Sequence, residues 1–204
     1  IFTQKAIKLN PNFAMAHYNL GLIFKDLGKL DKAEISYRKA IAIKPSYEMA
    51  HSNLGIILKA LGKFKEAEVS TRKAISINPN NAISHCNLGG ILRNLGKLKE
   101  AETSYQKAIE LNPDLAEAYS NIGNVFSDLG KYPEAVKSYR KAIALNPNFA
   151  DAFSNLGSIL RDLGELKEAE LSTRKAIELN PNLANPHFNL GNILKDMGKS
   201  KQAF

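Results

Sequence analysis

The side chains best suited to chemistry are four histidines, His17, His51, His85 and His187, and a single cysteine, Cys86. Imidazoles could hold a metal, and a thiol beside an imidazole could act as a nucleophile. Their spacing argues against both. The histidines stand 34 residues apart or a multiple of it, each at the same place in a recurring unit. Ligands to one zinc must all lie about 2.0–2.1 Å from the ion, whereas packed helices lie about 8–10 Å apart. The histidines therefore read as structural and Cys86 as an inert thiol with no disulfide partner. No Gly-rich phosphate loop, metal-spaced Cys/His cluster, nucleophile elbow or paired acid and base is present. The expectation is a segment without catalysis, metal or cofactor. What remains is amide chemistry. An asparagine recurs at Asn19, Asn53, Asn87, Asn121, Asn155 and Asn189, always followed by Leu-Gly or Ile-Gly. A carboxamide both donates and accepts, so a row of them could hold the backbone of another chain without reading its sequence.

The elements that would position these amides follow from the same period. Prolines 11, 45, 79, 113, 147 and 181 keep the step of 34, as do Gly28, Gly62, Gly96, Gly130, Gly164 and Gly198. Twelve of the thirteen glycines and six of the eight prolines sit at three repeat positions, leaving Gly90, Pro133 and Pro186 outside. Counting from the third residue after each proline divides the chain into a partial repeat 1–13, complete repeats 14–47, 48–81, 82–115, 116–149 and 150–183, and a partial repeat 184–204. Both ends fall inside a unit, as expected of a piece of a longer array. Terminal repeats would expose apolar faces, which makes self-association through them an expectation.

Each unit reads as two helices. Apolar and aromatic residues at positions 4, 7, 10, 11 and 14 (His17, Leu20, Ile23, Phe24 and Leu27 in residues 14–47) share one face of a first helix over positions 1–14. The glycine at position 15 ends it by accepting a left-handed backbone. A second helix spans positions 18–31, and the proline at position 32 stops it. Pro133 and Pro186 fall in first helical turns, where a missing N–H costs little. The mid-helix glycine at position 8 costs about 0.8–1.0 kcal/mol relative to alanine, so a close approach of helices must offset it. The alanines at position 20 (Ala33, Ala67, Ala101, Ala135, Ala169 and Ala203) are the expected counterpart, and those at position 27 serve the same end between repeats.

His17, Leu20-Gly21, Phe24, Ala33, Tyr37, Ala40 and Pro45, with their counterparts along the chain, resemble the tetratricopeptide repeat. Position 4 is never Trp, and position 24 is Thr at Thr71 and Thr173 instead of Tyr. The resemblance implies an all-α, right-handed superhelical α-solenoid of antiparallel helix pairs, with first helices lining a concave groove that binds a protein or an extended peptide. The Ser154 and Ala176 regions are also similar to repeats of the O-linked N-acetylglucosamine transferases. That likeness implies an alternative, the substrate-recruiting region of a larger transferase whose chemistry lies in another domain. The two-carboxylate clamp of chaperone-binding members is disfavoured, because position 5 holds no lysine.

In that family the groove positions are 2, 5, 6, 9, 12 and 13 of the first helix. Position 6 supplies the six asparagines. Position 12 is basic at Lys25, Lys59, Arg93, Arg161 and Lys195. Positions 5 and 9 vary, including Tyr18, Cys86 and Phe188 at the first and Asn124 at the second. Specificity is expected where an otherwise regular unit varies. The net charge is +8, but many basic residues fall around the second helix, and no nucleic-acid motif is present, so no specific nucleic-acid partner is expected. No apolar run is long enough to span a bilayer. A lone cysteine fits a reducing, cytoplasmic setting.

Overall fold

The computed structural model describes residues 2–198, and Ala203 lies outside them. Among the described residues the chain is entirely helical, and it divides into two compact units, residues 1–111 and 112–204. The first holds α1 (Phe2–Leu9), α2 (Ala14–Asp26), α3 (Leu30–Ile43), α4 (Glu48–Ala60), α5 (Phe64–Ile77), α6 (Ala82–Asn94) and α7 (Leu98–Leu111). The second holds α8 (Ala116–Asp128), α9 (Tyr132–Leu145), α10 (Ala150–Asp162), α11 (Leu166–Leu179) and α12 (Ala184–Asp196).

The helix boundaries repeat because the breakers repeat. Gly28, Gly62, Gly96, Gly130, Gly164 and Gly198 all have φ between 68° and 80°, a backbone region that side-chain-bearing residues rarely enter. Each second helix starts at position 17, one residue earlier than the sequence pattern suggests, and ends at position 30. Leu30 and its counterparts thus belong to the helix, and the residue before them supplies the first helical carbonyl: Ala33 N–H donates to Lys29 O at 3.0 Å.

Within each repeat the two helices pack face to face, and inside each unit the second helix packs on the first helix of the next repeat, α3 on α4, α5 on α6, α9 on α10 and α11 on α12. The alanines at positions 20 and 27 are fully buried in every complete repeat, whereas Ala6 at position 27 of the first, partial repeat is half-buried. The first helices of neighbouring repeats also touch directly, α4 with α6, α8 with α10 and α10 with α12. Second helices are bridged by long side chains instead. Arg38 pairs with Glu66, Arg72 with Glu100 at 2.7 Å and Arg140 with Glu168 at 2.7 Å. Lys63 reaches back to Glu34 and Lys97 to Glu68, each at 2.8 Å.

The mid-helix glycines are needed, but not chiefly for the alanines. A Cβ on Gly21, Gly89 or Gly123 would lie 2.5–2.8 Å from a ring carbon of Tyr37, Tyr105 or Tyr139, and at Gly55 and Gly157 it would meet the Thr71 and Thr173 hydroxyls at 2.1 and 2.2 Å. The flat ring at position 24 lies across the first helix, and glycine makes room for it. The two Thr hydroxyls and the Tyr37 hydroxyl are buried without a hydrogen-bond partner.

Candidate peptide-binding face

All four histidines do the same structural task. Nε2 of His17, His51, His85 and His187 lies 2.9 Å from the carbonyl oxygen of Pro11, Pro45, Pro79 and Pro181. Each ring fastens the start of a first helix to the end of the preceding second helix, where proline leaves carbonyls without helical partners. Among the described residues no group of His, Cys, Asp and Glu could hold a metal.

In each unit the amides recur at the same position of successive first helices, but their settings differ. Asn19 on α2 is exposed, while Asn53, Asn87, Asn121, Asn155 and Asn189 are half-buried. Asn53 Nδ2 donates to the Tyr18 hydroxyl at 2.9 Å, linking α4 to α2. Asn155 Nδ2 donates to Asn124 Oδ1 at 3.0 Å, linking α10 to α8. Asn124 Oδ1 also accepts from the Tyr139 hydroxyl at 2.8 Å. Asn87 Nδ2 is buried without a partner. The row is thus partly tied into the helix stack, through the amide donors at Asn53 and Asn155.

Tyr18 stacks at a tilt between Tyr37 and Tyr47, with ring centroids 5.7 and 5.1 Å away. Burial pushes its phenol above the ordinary tyrosine range, and the hydrogen bond from Asn53 partly opposes that. Lys25, Arg93 and Arg161 are half-buried, Lys59 and Lys195 exposed, and Cys86 half-buried. Arg161 Nε donates to Asp196 Oδ2 at 2.8 Å, joining position 12 of one repeat to position 13 of the next. Phe188 on α12 is 72% exposed.

Position 5 is displayed unevenly, exposed at Phe188 and half-buried at Tyr18 and Cys86. Ser52, Ser120 and Ser154 there are all buried. The Ser84 hydroxyl donates to Ser52 Oγ at 3.2 Å, so this position helps to seat one first helix on the next. Sequence reasoning also missed the tyrosines at position 24, whose hydroxyls come up beneath position 9. A further groove of about 830 Å³ runs between α3 and α5 on the opposite side of the stack, with Ile41, Leu54, Leu58 and the 72%-exposed Val69 in its lining.

Stacked antiparallel helix pairs with a glycine, a proline and an amide at fixed places in a 34-residue unit define a helical-repeat scaffold. Comparison with known proteins names the class. Profiles described as tetratricopeptide repeat match residues 14–47, 49–81 and 71–103. A profile described as TPR repeat matches residues 89–130, 123–164 and 157–198, more than half of the chain. The chain belongs to the tetratricopeptide repeat family.

Among solved structures it is similar to YrrB, described as a TPR protein with an unusual peptide-binding site, at 27% identity and a TM-score of 0.69, over 90% of this chain and 95% of that one. It is also similar in fold to PilF of Pseudomonas aeruginosa, at 24% identity and a TM-score of 0.83, over 93% and 86% of the two chains. PilW, a type IV pilus biogenesis factor, gives 24% identity and a TM-score of 0.86 over 93% and 88%. Comparison with curated protein sequences gives no significant match. Among the described residues no helix is long and apolar enough to cross a membrane.

Proposed function

We propose that this chain is a non-catalytic scaffold whose first-helix face binds an extended segment of a partner protein. The observation that carries the reading is the asparagine at position 6 of every first helix, exposed at Asn19 and half-buried in the other five. Neighbouring helices lie about 8–10 Å apart, and an extended chain advances about 3.3 Å per residue. One amide therefore meets about every third residue of a ligand lying across the first helices of one unit. Backbone groups recur at that interval whatever the side chains, so the amides supply affinity and their neighbours at positions 5, 9 and 12 supply preference. The peptide-binding site ascribed to YrrB supports the same reading.

The test uses Asn87→Ala with Asn121→Ala. Neither amide makes a side-chain hydrogen bond among the described residues, unlike Asn53 and Asn155, so their loss breaks no internal link. Phage-displayed random peptides are selected on the intact chain and titrated against both forms. The double variant should keep its helicity by circular dichroism and lose about tenfold or more in affinity, the worth of one or two hydrogen bonds. Undiminished binding, together with loss in Val69→Asp, would move recognition to the groove between α3 and α5 and end this reading.

A further inference from the structure

Gly90, the one glycine outside the repeating positions, stands at position 9 of α6, where other repeats present Leu22, Ile56, Asn124, Ser158 and Asn192. A Cβ at Gly90 would lie 2.8 Å from Lys59 Nζ and 3.2 Å from the Tyr105 hydroxyl. The lysine has reached from α4 into the space a side chain would fill, and the phenol of α7 borders that space from below. In the equivalent place of the fourth complete repeat, the Tyr139 hydroxyl donates to Asn124 at position 9. Gly90 deprives Tyr105 of that acceptor, and among the described residues no other side chain takes it up. Tyr105 is only 2% exposed. A phenol so deeply set, with its hydroxyl aimed at an unfilled notch, is a donor awaiting an acceptor.

Lys59 is in the same position. Where position 12 is Arg161, the next repeat supplies Asp196 as its counterion. Opposite Lys59 the corresponding residue is Asn94, and among the described residues Lys59 forms no ion pair. Burial, and after it the Cys86 thiol, hold the Tyr105 phenol above the ordinary tyrosine range, only partly opposed by the Arg93 charge, so its hydroxyl keeps its proton and stays a donor. Thirteen basic and six acidic residues give residues 1–81, which include Lys59, a net charge of +7. An ammonium and a buried hydroxyl converging on one gap suit an oxygen anion, because both can donate to it at once and its charge answers that of the ammonium.

We propose that the Gly90 notch is a carboxylate subsite, in which an acidic group of the bound segment accepts from Lys59 Nζ and the Tyr105 hydroxyl. This deepens the peptide-binding reading and rests on it for the segment that brings the carboxylate. The group is either an Asp or Glu side chain or a free C-terminus.

The test is an NMR titration of the labelled chain with three Gly/Ser peptides of equal length: one with an internal Asp and an amidated end, one with a free C-terminus, and one neutral and amidated. At least one acidic peptide should shift the Gly90 amide and Tyr105 ring signals and bind about tenfold tighter than the neutral one. Which acidic peptide does so identifies the source. Lys59→Met, Tyr105→Phe and Gly90→Asn should each make acidic and neutral peptides bind alike. Gly90 and Tyr105 signals that stay put with both acidic peptides overturn the subsite, even where the asparagine amides shift and the peptide face stands. Gly90 shifts with silent asparagine amides leave the subsite and remove the extended peptide face. Inorganic phosphate at matched ionic strength binding as tightly as the acidic peptides would make this a general anion site and overturn the carboxylate assignment.

Discussion

Gly89 and Gly90 are neighbours on α6, and the structure requires that replacing each by alanine have opposite effects. Both substitutions relieve the same helix-propensity penalty, about 0.5–1 kcal/mol. They differ in what the new methyl meets. At Gly89 a Cβ would stand 2.8 Å from Cδ2, Cε2 and Cζ of Tyr105, a ring that is 2% exposed and so has nowhere to retreat. Overpacking of that kind costs about 1–3 kcal/mol, and with three carbons intruded upon at once the net loss should be about 1–2 kcal/mol. At Gly90 the nearest atom is the end of the exposed Lys59, which can swing into solvent, and the Tyr105 hydroxyl at 3.2 Å has to give by only a few tenths of an ångström, so part of the propensity gain survives. Repeat arrays need not unfold as one unit, and the local readout is amide hydrogen exchange in α6 and α7, with the denaturation midpoint as a second measure. Gly89→Ala should speed exchange in both helices and Gly90→Ala should slow it. A Gly89→Ala protein as stable as the parent, or equal shifts from the two variants, would refute the claim that the ring at position 24 dictates glycine at position 8.

Two further predictions concern groups that the repeat treats unequally. Tyr139→Phe removes a hydroxyl bonded to Asn124 and should cost about 0.5–1.5 kcal/mol, whereas Tyr37→Phe removes a buried hydroxyl with no partner and should leave the urea midpoint unchanged or raised. The second concerns acid. Hydrogen bonds from Lys63 and Lys97, and then from Arg38 and Arg72, hold the Glu34 and Glu68 carboxyls below the usual carboxylate range. A carboxyl depressed in the folded state contributes stability above its unfolded pKa, about 4.3, and loses it as pH falls through the folded value. Lys63→Met with Lys97→Met should therefore shift the acid-unfolding midpoint to higher pH by circular dichroism, and little should change near neutrality beyond the loss of the pairs themselves. An unmoved acid midpoint would show that these bridges do not hold second helices together.

The ends and the type of the described helices were legible because glycine and proline act through the backbone, whose constraints do not depend on distant partners. The structural role of the histidines was legible by elimination, although their bond to the proline carbonyl was not. Contacts between repeats were harder. The nearest partner of the glycine at position 8 is the side chain at position 24, a tyrosine ring or a threonine hydroxyl, and the alanine at position 20 comes close only through its carbonyl at Ala67 and Ala169. Ser52, Ser120 and Ser154 look like displayed polar residues in one dimension and are buried where first helices touch. The bridges from Arg38 to Glu66 and from Lys63 to Glu34 span 28 and 29 residues, intervals that appear only once the stacking of neighbouring units fixes which turns face each other.

Positions 9 and 24 show how packing and recognition share one set of residues. Tyr139 is satisfied by Asn124, Tyr105 faces the gap at Gly90, and Tyr37 is buried without a partner in the repeat that has Leu22 at position 9. In the second and fifth complete repeats the ring is replaced by Thr71 or Thr173, and position 9 is Ile56 or Ser158. A change at position 9 therefore alters more than the face a ligand meets. It decides whether a phenol beneath that face is spent on the protein or left to donate outward. The helix stack tolerates each choice, since the glycine at position 8 and the alanines at 20 and 27 carry the close packing independently. Position 9 can thus vary one repeat at a time without disturbing the core, and at Gly90 that variation leaves the Lys59 ammonium and the Tyr105 hydroxyl bordering one gap.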